Sequence, residues 1–225
     1  MPLTVPEARA YYDRFGSKQD SQGFYEDPAL DALVRVADFA HAEMVLEFGC
    51  GTGKFAERLL SRELPESARY VGCDVSPVMI DLATQRTAAF KDRCSIRHSG
   101  SDLVLPAEDR SCDRLVTTYV LDLLSEADIS RFLQEAHRIL APGGRLGVVG
   151  LTHGVTWLST CVSRLWRLAY DMKPAAVGGC RPQSLTALLD SRAWNVAHRE
   201  VVVAWGVPSE VVVAEPRERS ARTPT

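Results

Sequence analysis

The chain has 225 residues, with 26 lysines and arginines against 29 aspartates and glutamates, which gives a formal net charge of −3. This length fits a single α/β domain with a sizeable core. Proteins that bind nucleic acids usually carry a basic patch. The few arginine clusters in this chain are short and mixed with acids, so we predict no nucleic-acid partner.

Three further features of the sequence predict a cytoplasmic protein without a metal site. The first residues lack the basic start and apolar stretch of a secretory signal. No apolar run reaches the roughly 18 residues that a membrane span requires. The six cysteines are scattered, without the close pairs of zinc ribbons and redox motifs, so we expect reduced thiols.

Hydrophobic spacing predicts an alternation of strands and helices along the chain. We predict a helical cap at 1–42, a main domain at 43–215 with an insert at 151–193, and a disordered tail at 216–225. The predicted strands are 44–48, 70–73, 94–98, 113–119, 145–151, 195–204 and 210–214, with a hairpin turn at 206–209. The predicted helices follow Pro28 and occupy 54–60, 76–90, 125–140, 155–171 and 182–189.

This alternation is typical of an α/β fold with helices on both faces of a doubly wound sheet. We expect seven strands, mostly parallel, ending in a C-terminal antiparallel hairpin. Ligands of such sheets bind beyond the carboxyl ends of the strands, near the point where the strand order reverses. The candidate site residues are therefore sought in the loops that follow the strands.

Three loops carry candidate binding residues. Glu47-Phe48-Gly49-Cys50-Gly51-Thr52-Gly53 lies between a strand and a helix, where glycines permit a sharp turn and the helix N-terminus favours an anionic group. Asp74 ends the next strand and can accept hydrogen bonds from both hydroxyls of a ribose, or cap the following helix instead. Asp102, after the third strand, can accept from an adenine amine, or be an ordinary loop acid.

The order of these motifs resembles the class I (Rossmann-like) S-adenosylmethionine methyltransferases. The matching segments read VLEFGCGTG, YVGCDVS, GSDLVLP, DRLVTTYVLDLL and EAHRILAPGGRLGVV. The resemblance runs from Tyr11 to Ala214. It is strongest to the small-molecule branch that includes the ubiquinone and menaquinone C-methyltransferases, whose N-terminal segment is similar to YYDRFG. It implies S-adenosylmethionine as cofactor and a methyltransferase domain at 43–215.

The resemblance also implies a set of cofactor-binding residues. Asp74 would hold the ribose, Tyr12 would close over the carboxylate, and Thr118 would lie near the methionine part. The other residues assigned to the cofactor are Glu47, Gly49, Gly51, Thr52 and Gly53 in the first motif, Val75 and Met79 on the adenine face, and Asp102 and Leu103 at the adenine edge. Many relatives carry a histidine near Asp122, and this chain does not.

Methyl transfer depends mainly on holding the acceptor close to the methyl group, and a general base helps only a protonated acceptor. No motif identifies such a base; the weak candidates are His153, Asp122 and Tyr11, followed by Tyr12 and Asp171. The insert at 151–193, with Trp157, Trp166 and Tyr170 at helical spacing, is either a core-packing helix or a lid over an apolar or aromatic small-molecule acceptor.

Three alternatives to this function remain open at the level of sequence. An NAD(P)-dependent oxidoreductase also uses a glycine loop and a ribose acid. Its G-x-G-x-x-G spacing requires a third glycine at the position of Ala56 or a neighbouring residue, and that glycine is missing from this chain. A non-catalytic partner subunit of the same fold would have no need of an intact loop. A thiol or metalloid methyltransferase would need converging cysteines. The sequence does not set the oligomeric state.

Overall fold

A computed structural model describes residues 5–100 and 103–217 of the chain. The helices are α1 (Val5–Phe15), α2 (Gly23–Ala37), α3 (Lys54–Arg58), α4 (Pro77–Arg86), α5 (Glu126–Ile139) and α6 (Trp157–Met172). The strands are β1 (Met44–Phe48), β2 (Arg69–Asp74), β3 (Cys94–His98), β4 (Cys112–Thr118), β5 (Leu140–Leu151), β6 (Trp194–Ala204) and β7 (Val207–Pro216). A 3₁₀ segment, Gly16–Gln22, joins α1 to α2.

The seven strands form one sheet in the order β3-β2-β1-β4-β5-β7-β6. The first five strands pair in parallel, and β7 inserts antiparallel between β5 and β6. The strand order reverses between β1 and β4, which makes this the switch point of the doubly wound sheet. The prediction of a mostly parallel sheet with a terminal antiparallel hairpin is confirmed.

Apolar layers on both faces of the sheet explain why its central strands read as continuous hydrophobic runs. One layer packs Leu33 of α2 and Leu59 against the sheet, and the other packs Phe132 of α5, which stacks on Phe48 with ring centroids 5.0 Å apart. These layers hold the carboxyl ends of β1, β2 and β4 side by side. The loops after these strands, with the candidate residues, therefore meet at one edge.

The segment after Pro182 is not the helix that the sequence predicts, because tertiary hydrogen bonds hold its backbone donors. Gln183 N donates to Leu151 O at 3.0 Å, and Leu185 N donates to a carboxylate oxygen of Glu210 at 2.7 Å. Only a single 3₁₀ turn, Thr186–Leu188, remains. The prediction failed because Glu210 lies far along the sequence and on another strand.

Three other boundaries differ from the prediction. The hairpin turn is Trp205-Gly206 rather than 206–209, and both residues have positive φ, as a two-residue turn between twisted strands requires. Helix α2 begins at Gly23 and contains Pro28. The predicted disordered tail begins inside β7, since Pro216 ends that strand; residues 218–225 lie outside the described residues.

Within residues 5–100 and 103–217, no helix combines the length and the apolar character that crossing a bilayer demands.

Candidate functional site

The glycine loop after β1 is pinned to the end of β2 by backbone hydrogen bonds. Gly49 N and Cys50 N both donate to Cys73 O, at 2.8 and 3.0 Å. Gly49 and Gly51 have φ of 77° and 50°, a region that favours glycine. A Cβ at Gly49 would overlap the side chain of Val120, and one at Gly51 would lie 2.9 Å from Gln19 Oε1. The loop therefore needs glycine at both positions.

Asp74 faces the glycine loop from the end of β2. One carboxylate oxygen accepts from Gly51 N at 3.0 Å and the other from Ser76 N at 2.9 Å. Ser76, not Asp74, caps helix α4, because its side chain accepts from Met79 N at 3.2 Å. Asp74 also lines the pocket described below, so we expect its carboxylate to receive a further donor from a ligand.

A pocket lies between the glycine loop, Asp74 and the start of α5. The predicted cofactor residues that line it are Tyr12, Gly49, Gly51, Asp74, Val75, Met79, Leu103 and Thr118. Sequence reasoning missed other lining residues, among them Gln19, Phe48, Ser99, Gly100, Tyr119, Val120, Leu123, Leu124 and Asp128. Leu103 and Tyr119 both have positive φ, of 58° and 56°. Such strain in bulky residues is typical of functional sites.

Three of the predicted cofactor residues lie outside this lining, and a fourth, Asp102, lies outside the described residues. Close packing on helix α4 explains why position 53 is glycine, since a Cβ there would lie 2.8 Å from Ala83 Cα. Thr52 Oγ1 donates to Asp20 at 2.6 Å and accepts from Arg86 at 2.7 Å.

The contacts of Thr52 belong to a clamp that fastens the N-terminal segment over the glycine loop. Arg86 of α4 also donates to Asp20 at 2.6 Å, and Ser76 donates to Asp13 of α1 at 2.6 Å. These bonds bring Gln19 to the pocket, where its Oε1 is buried without a partner among the described residues. The N-terminal segment thus contributes a cover and an unsatisfied amide to the site.

Glu47, the third predicted residue outside the lining, is buried beneath the loop and accepts from the hydroxyl of Tyr70. Burial raises the pKa of its carboxyl to about 7, and the nearby charge of Asp74 acts in the same direction. A raised pKa in the folded protein means that stability is lost as pH rises through that value.

We expect Glu47→Gln to remove this pH dependence. An amide still accepts from Tyr70 but carries no charge to desolvate, so the variant should gain roughly 1–3 kcal/mol at pH 8 and little at pH 5. Urea unfolding of both proteins at the two pH values measures the difference. An equal change at both pH values would show that the Glu47 carboxyl does not titrate in this window.

Aromatic side chains form a wall beside the pocket, where α2, β4 and α6 meet. The Tyr25 ring lies 5.7 Å from that of Tyr119 and 6.3 Å from that of Trp166, both edge to face. The Tyr12 hydroxyl donates to the Cys180 thiol. We call the four aromatic residues Tyr12, Tyr25, Tyr119 and Trp166 the aromatic wall. Its chemistry is apolar, with a few hydroxyl groups.

Glu26 is the acid next to this wall, one residue after Tyr25 in helix α2. Burial raises the pKa of its carboxyl to about 7. Its charge also raises the pKa of the Cys180 thiol, which indicates that the two groups are close. A carboxylate with such a pKa can take up a proton near neutral pH. Sequence reasoning missed Glu26, because no motif surrounds it.

The predicted general-base candidates are dispersed. Asp122 is fully buried and accepts from Leu151 N at 2.6 Å, and burial raises its pKa to about 7. His153 is exposed and lines a separate groove along α5. Asp171 is exposed and pairs with Arg167 at 3.2 Å. Tyr11 lies beside Tyr12, with ring centroids 5.3 Å apart. Tyr11 and Asp122 are each the chain neighbour of a residue that lines the pocket, Tyr12 and Leu123 respectively.

Comparisons with known proteins support a methyltransferase fold and domain. Residues 45–144 match the family described as "Methyltransferase domain". The chain is 37% identical over 123 residues to a demethylmenaquinone methyltransferase from Deinococcus radiodurans, covering 54% of this chain and 48% of that protein. It is 28% identical to a malonyl-[acyl-carrier protein] O-methyltransferase from a Marinomonas species, covering 64% and 51%. The chain spans about half the length of the curated relatives it matches.

A solved structure extends the likeness of fold to nearly the whole chain. The structure described as the DhpI–SAH complex superposes with a TM-score of 0.64 at 18% identity, covering 96% of this chain and 98% of that one. These comparisons do not support the oxidoreductase alternative. The chain thus has the fold of this solved structure, with the matching sheet order, and its residues 45–144 are similar to the methyltransferase-domain family.

Proposed function

We propose that the protein transfers a methyl group from S-adenosylmethionine to a small-molecule acceptor. The observation that carries this proposal is the position of Asp74, which joins the glycine loop to the start of α4 and lines the pocket. An acid held in this way fits the two hydroxyls of a ribose. The apolar residues Val75, Met79 and Leu103 beside it fit an adenine ring.

The residues at the other end of the pocket fit the amino-acid part of the cofactor. Gly49 and Gly51 have no room for a side chain, so the backbone itself would meet the ligand. The unpaired Gln19 Oε1 offers an acceptor for an ammonium group. Thr118, the last residue of β4, and the following Tyr119 both line the pocket. When bound, S-adenosylmethionine supplies an electrophilic methyl group on a sulfonium centre.

For the acceptor, we propose an apolar or aromatic molecule that lies against the aromatic wall. The wall adjoins the pocket through Tyr12 and Tyr119, which belong to both. One relative is named a demethylmenaquinone methyltransferase and another a malonyl-[acyl-carrier protein] O-methyltransferase, and these names indicate that acceptors vary among the relatives. Glu26 is the residue that we assign to accept a proton, if the acceptor carries one.

Transfer of a labelled methyl group to acceptors tests this proposal. We expect protein incubated with methyl-labelled S-adenosylmethionine to release S-adenosylhomocysteine in step with a labelled product from a panel of quinols, phenols and amines. Glu26→Gln should slow the reaction without weakening cofactor binding. The fully buried Asp122 offers a second carboxyl whose replacement can be compared with that of Glu26. A protein that binds the cofactor but labels no member of the panel and no metabolite extract would instead be a non-catalytic partner subunit.

We also propose that the protein works in the cytoplasm without a nucleic-acid partner. All six cysteines are free thiols, and five of them are buried or half-buried. Free thiols persist in reducing compartments. The net charge of −3 is unfavourable for binding a polyanion.

A further inference from the structure

One face of helix α6 turns apolar side chains toward solvent, whereas the opposite face packs Val162, Trp166 and Tyr170 against the protein. Trp157, Leu165 and Met172 expose 80%, 66% and 74% of their surface, whereas Ser159 and Ser163 are buried. A surface helix of a globular protein normally carries polar side chains on its exposed face. A contiguous apolar surface of this kind marks an interaction site.

The apolar residues on this face repeat with the spacing of a coiled-coil seam. Leu158, Cys161, Leu165, Leu168 and Met172 follow one another at intervals of three, four, three and four residues. Leu158 and Leu168 are also largely exposed, and so is Cys161. This alternation keeps one stripe of side chains in contact with a second helix over two heptads. We call these five residues the α6 seam.

The helix that carries the seam is fixed in place by its other face. A capping box starts it, in which Thr156 Oγ1 accepts from Ser159 N at 3.2 Å and Ser159 Oγ accepts from Thr156 N at 2.9 Å. Further along, Trp166 Nε1 donates to Cys180 O at 3.0 Å. The seam is therefore presented on a formed helix, which reduces the entropy lost when a partner binds.

Charged residues on one flank of the seam are complementary to the same flank of a second copy. Arg164 precedes Leu165 and Asp171 precedes Met172, so the two charges stand one heptad apart on the same side. Within the described ranges Arg164 has no ion-pair partner, and Asp171 pairs only with the exposed Arg167. In an antiparallel pair of α6 helices related by a two-fold axis, this flank of one copy faces the same flank of the other, and the residue order is reversed between them. Arg164 of each copy then meets Asp171 of the other.

We propose that the α6 seam is a self-association surface, on which a second copy of this chain packs its own α6 in the antiparallel direction. The nearby hairpin tip adds to the apolar area: Trp205 exposes 83% of its surface, and Leu158 Cγ lies 3.6 Å from the place of a Cβ on Gly206. The opposite charges of Arg164 and Asp171 are both complementary to a second copy, whereas headgroups of one charge on a lipid surface would complement only one of the two.

Sedimentation velocity of the full chain over a wide range of concentrations tests the proposal. We expect the weight-average mass to rise toward that of a dimer as concentration increases. Leu165→Glu should weaken association at least about thirtyfold, because it buries a charge in the seam. The matched control is Val196→Glu, which places the same charge at a partly exposed apolar position of strand β6 and should associate like the parent.

Charge exchange on the flank tests the direction of packing without disturbing the fold. Arg164→Glu and Asp171→Arg alone should each weaken association roughly three- to tenfold, and the double variant should restore it. Failure of the double variant to restore association would overturn the antiparallel arrangement. A parent protein that stays monomeric at all concentrations would overturn the proposal as a whole. Binding of monomers to phosphatidylglycerol vesicles through Leu165 would also overturn the proposal.

Discussion

Replacing Asp74 with alanine is expected to weaken the binding of S-adenosylmethionine by about 100-fold or more. Two hydrogen bonds from ribose hydroxyls to a carboxylate would be lost, and each bond to a charged group contributes roughly 1.5–3 kcal/mol. The substitution also frees Gly51 N and Ser76 N, so the loop loses its anchor at the end of β2. Isothermal titration of both proteins with the cofactor measures the loss.

Two variants separate the ribose contact from a general effect on helix α4. Asp81→Ala removes an exposed carboxyl from the same helix and should bind the cofactor like the parent. Asp74→Asn keeps the acceptor for one backbone donor and should fall between the parent and the alanine variant. If Asp74→Ala bound the cofactor as tightly as the parent, the assignment of the pocket to S-adenosylmethionine would fail.

A second large effect is expected for Glu210, the buried carboxylate at the centre of strand β7. It accepts from Leu185 N at 2.7 Å, from the Thr186 hydroxyl at 2.8 Å and from Arg199 Nε at 2.6 Å. Glu210→Ala leaves these donors without a partner and opens a cavity. We expect the free energy of unfolding to fall by about 2–4 kcal/mol. Arg199 is half exposed and can turn to water, which keeps the loss from being larger.

Glu200→Ala provides the matched control on the neighbouring strand. Glu200 pairs with Arg35 at 3.1 Å on the surface, where the arginine is mostly exposed. Such a pair contributes about 0–1 kcal/mol, so this variant should unfold within that range of the parent in urea. Similar losses for both variants would mean that Glu210 does not organise the segment after Pro182.

Local sequence patterns were sufficient to predict the residues that depend on near neighbours. The predicted helix starts at 76 and 125 are confirmed, because Ser76 and Ser125 cap α4 and α5, and a cap bonds to a backbone group three residues away. The alternation of strands and helices likewise predicted the parallel sheet. Asp74 and the glycine loop followed from their order after consecutive strands, whose carboxyl ends meet at one edge.

Long-range contacts account for what the sequence did not predict. The segment at 182–189 has helical spacing, but Glu210 and Leu151 accept hydrogen bonds from its backbone N–H groups, so a helix does not form. Gln19 reaches the pocket only because Asp20 pairs with Arg86, 66 residues away. Trp157 and Trp166 stand at helical spacing in the sequence, yet one faces solvent and the other packs against Tyr25. Periodicity gives the faces of a helix, but not which face the protein covers.

The clamp that covers the pocket has a consequence for ligand entry. Asp13 and Asp20 fasten α1 and the following 3₁₀ segment to Ser76, Thr52 and Arg86. We expect a ligand the size of a nucleoside to enter this pocket when part of that cover opens. The hydrogen bonds of this clamp are partly exposed to solvent and join only local segments, so they can break without a change in the sheet.

The measurement that most directly tests the central claim is a titration of the parent protein with S-adenosylmethionine, S-adenosylhomocysteine and NADH in the same buffer. Our assignment predicts saturable binding of both adenosyl compounds at one site per chain, competition between them, and no heat from NADH. Binding of NADH without binding of either adenosyl compound would contradict the assignment and return the chain to the dinucleotide-dependent enzymes.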